Sequence, residues 1–177
     1  MSEGSSFELD ARDVTSWSVS TWKEYIYLIK GSLMANSCRS TAKIVQHADA
    51  ETLGGAAFDF GRNLVLAQHC SDDIKNFLDE KQIVKRTNYI VIKGLEGSGD
   101  VGDFIREHGE EVWVNASLNK RLKSCIRSSQ SGDVVAGARA DCERYTKACL
   151  DSISDFPERD TVKKIGSILK NISSAES

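Results

Sequence analysis

The first regular pattern along the chain places apolar residues at Trp22, Ile26, Ile29 and Leu33, and continues through Ala42 and Val45. Steps of three and four put them on one face of a helix. Ser20 or Thr21 is placed to cap it, with Glu24 as the reciprocal partner three residues after Thr21. The helix is expected to end near His47. Asp49 then caps a second helix with a longer and more regular stripe: Leu53, Ala57, Phe60, Leu64, Ala67, Ser71, Ile74 and Leu78. Gly54, Gly55 and Gly61 interrupt that helix, and each costs about 1 kcal/mol relative to alanine. Gly61 is therefore either a point of close approach by a neighbouring helix or a tolerated weak spot.

Residues 81–95 continue as a helix or broken helix, although the β-branched run Tyr89-Ile90-Val91-Ile92 leaves a short strand open. Glu96-Gly97-Ser98-Gly99-Asp100 has loop chemistry. Short helices are expected at 101–108 and 112–126, with a turn over 128–133. Asp133 caps a helix carrying Val134, Ala138, Tyr145, Ala148 and Leu150. Phe156-Pro157 breaks the chain, and proline suits the first position of the last helix because its missing amide is not needed there. That helix carries Val162, Ile165, Ile168 and Leu169. Residues 1–20 read as a loose polar tail, 21–172 as one helical domain and 173–177 as a polar end.

Composition sharpens the class. The 177 residues include a single proline, and Ala, Leu, Lys, Glu and Ile are plentiful, so the fold is predicted to be all-α. Both charge signs are mixed and the net charge is −3, which argues against a general nucleic-acid binder. There is no apolar run long enough to span a bilayer as a helix. The polar start, Met1 to Ser6, reads as neither a secretory signal nor a transit peptide. The 5 cysteines are odd in number and scattered, which fits free thiols in a reducing compartment better than a zinc site or disulfide framework.

Candidate chemistry is concentrated near the end of the second helix. His69, Asp72, Asp73 and Asn76 share one side, roughly opposite the apolar stripe. The plainest reading is a solvated helix face. The alternative is binding of a magnesium diphosphate, because Mg²⁺ takes one or two carboxylates together with substrate phosphates. Ionising an allylic diphosphate, however, needs several ions held between facing helices, to neutralise charge on the leaving group. Only one such patch is visible.

These residues resemble the trans-isoprenyl diphosphate synthases. The likeness runs through Lys30-Gly31-Ser32-Leu33, Cys38-Arg39, Phe60-Gly61-Arg62-Asn63-Leu64, Ala67 and Asp72-Asp73. It continues through Tyr145-Thr146-Lys147-Ala148, Leu150, Phe156-Pro157 and Val162. It covers most of the chain from about Trp22 to Leu169, and matches the C-terminal half of the family only. The departures are informative. The first aspartate-rich motif has no counterpart before Lys30. Asn76 replaces the third aspartate of the second motif, Gly31 replaces a threonine, and Gln68 and His69 stand where Phe and Gln are usual. The pattern is closest to the diverged second subunit of two-component decaprenyl and solanesyl diphosphate synthases, in an N-terminally shortened form.

The resemblance implies a partial isoprenoid-synthase bundle of antiparallel helices. It implies a supporting subunit, inactive alone, of a mitochondrial heterotetramer that makes the polyprenyl tail of ubiquinone. A catalytic subunit 1 would be the partner, and Mg²⁺ the cofactor of the complex. On this chain Lys30 would be a vestigial diphosphate contact, and Asp72 and Asp73 vestigial magnesium ligands. Two other readings stand beside it: an active magnesium-dependent prenyltransferase, and an unrelated helical interaction module.

Overall fold

The computed structural model describes residues 14–44, 50–129, 133–154, 156 and 159–173. All regular structure among them is helical. The α-helices are α1 (Val19–Ile26), α2 (Ser32–Ile44), α3 (Ala50–Leu78), α4 (Tyr89–Gly97), α5 (Gly99–His108), α6 (Ala116–Ser128), α7 (Val134–Ser152) and α8 (Arg159–Ser173). The all-α expectation holds, and the strand left open at 89–92 is instead the first turn of α4. Asn88 decides this locally, since its side chain accepts the Ile90 amide as an N-cap.

The chain forms two compact units. One comprises Met1–Tyr25 and Asp72–Arg139, the other Ile26–Ser71 and Ala140–Ser177. In the first, the expected tail is already structured from Val14. Val14 and Trp17 are buried, and a 3-10 turn at Val14–Ser16 lies against α4 and α5. Residues 1–13 lie outside the described residues. The core of this unit centres on Trp22, whose ring meets Tyr89 at 4.5 Å and whose Nε1 donates to the Thr87 carbonyl at 3.0 Å. Ile90, Val91, Ile92, Leu122 and Ile126 complete it. The expected loop at 96–100 contracts to one residue. Ser98 donates its amide to the Gly94 carbonyl and accepts the Asp100 amide on its side chain, so it closes α4 and opens α5. The turn expected at 128–133 lies partly outside the described residues, but Asp133 caps α7 through the Ala136 amide as expected.

The expected cap of α1 is moved: Ser18, not Ser20 or Thr21, accepts the Thr21 amide at 3.1 Å. The larger departure follows. Between α1 and α2 the backbone takes a π turn at Tyr27–Gly31. An inserted residue rotates everything after it by about 100°. Burial then steps from Trp22 and Ile26 to Gly31 and Ala35, while Ile29 and Leu33, read as core, are 39% and 76% exposed.

The second unit shows what Gly61 is for. A Cβ there would lie 2.9 Å from the Ala35 Cα, and Gly54 faces Arg39 and Lys43 further along α2. The contacts run in opposite directions along the two helices, so α2 and α3 pack antiparallel and close approach is the reason for the glycine. On another side of α3, the α7 thiols of Cys142 and Cys149 point at the carbonyls of Ala67 and Phe60, at 3.5 and 3.8 Å. The seven-residue spacing on both helices brings these two pairs into register. None of the described cysteines is in a disulfide.

Candidate functional site

The acidic pair sits in the last two turns of α3, and its members do different things. The Asp72 carboxylate is about half exposed, with Lys75 Nζ 4.0 Å away one turn on. Asp73 turns toward α4. Its Oδ2 accepts the Tyr89 amide at 2.7 Å, and its backbone carbonyl accepts the Asn88 side chain at 2.9 Å. A carboxylate at the first amides of a helix satisfies an otherwise unpartnered donor and complements the helix dipole. Asp73 thus anchors the start of α4.

Asn76 is exposed at the position where the full motif has a third carboxylate. Lys30 is exposed and belongs to the π turn of the other unit, and the half-buried His69 of α3 falls in that unit too. A magnesium ion shared with a diphosphate needs carboxylate lone pairs directed at it. Here one oxygen of Asp73 is taken by an amide, and Lys75 stands beside Asp72. Such a centre would have to draw on the remaining lone pairs of Asp73 and on an Asp72 carboxylate with Lys75 beside it. Among the described residues no group of three or more His, Cys, Asp or Glu is arranged to hold a metal ion.

The element that organises this region was not anticipated. Lys123 on α6 is 1% exposed, and its Nζ donates to the carbonyls of Asp79 at 2.7 Å, Gln82 at 2.8 Å and Asn76 at 3.5 Å. It closes the C-terminal end of α3, where free carbonyls gather negative potential. Burial pushes the ammonium group below the usual lysine range, and the neighbouring Glu80 carboxylate opposes that shift. One turn earlier, Asn119 is equally buried. It accepts the Val84 amide at 2.9 Å and donates to the carbonyls of Val84 and Val112. Arg127 pairs with Glu80 at 2.7 Å. Three α6 side chains therefore strap the connection from α3 to α4. A trace of this was visible in the sequence: Asn119 and Lys123 fall at helical spacing among Leu122 and Ile126, a polar pair on an apolar face.

Comparison with known proteins gives the region its context. The chain is 25% identical, over 78% of its length, to the Homo sapiens protein named All trans-polyprenyl-diphosphate synthase PDSS2. It is 24% identical, over the same share, to the proteins of that name from Mus musculus and Rattus norvegicus. Each alignment covers 34% of the relative, so the chain spans about a third of the length of the curated proteins it matches. No family profile and no solved structure matches it. The chain is thus similar, at 24–25% identity, to proteins named All trans-polyprenyl-diphosphate synthase PDSS2, and the regular structure of its described residues is helical.

Proposed function

We propose that this chain is a non-catalytic, supporting subunit of a heteromeric trans-polyprenyl diphosphate synthase. The complex would condense isopentenyl diphosphate onto an allylic diphosphate to build the side chain of ubiquinone in the mitochondrion. The catalytic partner, a subunit 1, would carry both aspartate-rich motifs and the Mg²⁺ ions they hold. The likeness to PDSS2 supports the family context. The 2.7 Å bond from the Tyr89 amide to Asp73 supports the non-catalytic role, because it commits half of the surviving acidic pair to the scaffold. Asn76 adds no charge to replace it. On this reading Lys30, Asp72 and Asp73 contribute surface charge and helix anchoring and do not handle diphosphate. The partner would cover apolar side chains left exposed here, such as Leu33 and Ile44.

The test is co-expression with a synthase subunit that has both aspartate clusters, followed by purification on a tag carried by one chain only. Incorporation of labelled isopentenyl diphosphate into products primed by farnesyl diphosphate is then measured with Mg²⁺ present. A stable complex whose rate or product length differs from that of the catalytic subunit alone is expected. Absence of association, with unchanged products, contradicts the proposal.

A further inference from the structure

A cavity of about 420 Å³ opens within the second unit, between α2, α3 and α8. Its walls are almost wholly apolar, with Ala42 from α2, Ala57 and Phe60 from α3, Ile153 after α7, and Val162 and Ile165 from α8. Among the described residues no Asp, Glu, Lys, Arg or His lines it. Two hydroxyl residues reach its edge, and Thr41 spends its hydroxyl on the Ser37 carbonyl at 2.9 Å within α2. Cys38 completes the α2 wall, and burial raises its thiol above the ordinary range, which keeps it neutral.

We infer that this cavity is a binding site for an uncharged aliphatic molecule. Its size lies within the range of small-ligand sites, which are mostly apolar with few polar groups. An ionised head drawn into such a lining would lose its hydration and find no partner, so the site selects against charge. Water gains little there, because a water molecule needs two or more polar partners to occupy a cavity stably. The inference goes beyond the proposed subunit role and does not depend on it.

Cys38 supplies the readout, and Cys125, a half-buried thiol of the other unit, supplies the reference. The full chain is treated with N-ethylmaleimide, with and without 1-dodecanol, and alkylation of each thiol is followed by mass spectrometry. Dodecanol is expected to slow reaction at Cys38 about fivefold at roughly four times its Kd, by mass action, and to leave Cys125 unchanged. Dodecanoate at the same concentration should have little effect. Ala57→Phe, which fills the cavity, should abolish the dodecanol effect, and Ala42→Leu serves as a second filling variant should the first fail to fold. Equal slowing of both thiols, equal protection by dodecanoate, or unchanged reactivity of Cys38 would each overturn the inference.

Discussion

Lys123 places an ammonium group against three carbonyl oxygens at the end of α3, and its cost and its benefit are both large. Desolvation penalises the charge, while its removal takes a donor from all three carbonyls, of which that of Asp79 keeps the Gln82 amide. Lys123→Met keeps most of the volume and removes the bonds. It should destabilise the protein by about 2–3 kcal/mol, read as a lower urea midpoint with an unchanged m-value. Asp73 is a second such anchor. Asp73→Ala should cost about 1–2 kcal/mol, as for a lost helix cap. Stability of the parent protein should not respond to millimolar Mg²⁺; stabilisation by Mg²⁺ that disappears in Asp73→Ala would show that the carboxylate binds metal after all. Cys149 gives the clearest pH effect. Burial holds its thiol up to about 12, against an ordinary value of 9.0. A raised thiol pKa means that the folded protein keeps a proton the unfolded chain releases. The associated stability is complete below pH 9 and is lost as pH climbs toward 12, up to about 4 kcal/mol in all. Urea midpoints measured from pH 8 to 11 should fall less steeply in Cys149→Ala than in the parent.

At the scale of elements, glycine positions separate packing from propensity. Gly61→Ala brings a methyl to 2.9 Å from the Ala35 Cα, a backbone atom that cannot swing aside. The variant should lose about 1–3 kcal/mol despite alanine's better helix propensity. Gly55, also inside α3, is exposed with nothing within 4 Å, so Gly55→Ala should gain roughly 0.5–1 kcal/mol. Thermal melts of the two variants check both signs. These elements also show where sequence reading succeeds and where it fails. The α3 stripe was legible because its three-four rhythm runs unbroken, and Ala57, Ala67, Ser71 and Ile74 are buried as read. Asp133 was legible as a cap because a short acceptor side chain precedes an apolar run. The π turn was not, since Ile29 and Leu33 continue a regular rhythm and nothing local announces the inserted residue. The junction at Ser98 was hidden for the opposite reason. Glycine-rich chemistry on both sides suggests a loop, yet the two helices simply abut.

For the whole molecule, scarcity of proline and an abundance of good helix formers made the all-α class readable from composition. The candidate site was readable only in part. Asp72 and Asp73 could be picked out by spacing, but their separate duties depend on contacts with residues 16 positions on, and the strap from α6 lies further still. The chain matches a third of the length of its PDSS2 relatives, and the acidic pair it retains is partly built into the scaffold. The second of these facts supports the proposed supporting role. In a complex, Asp72→Asn should leave prenyl transfer within about twofold of the parent, since a half-exposed carboxylate outside the reacting centre contributes little. A radiometric assay of the co-purified assembly checks this.

The most direct test of the account uses the chain purified by itself. It is mixed with farnesyl diphosphate, labelled isopentenyl diphosphate and Mg²⁺, and elongated products are counted. No product above the protein-free control is expected, and synthesis should appear only when a catalytic subunit is added. Chain elongation by the isolated protein, lost on mutation of Asp72, would contradict it.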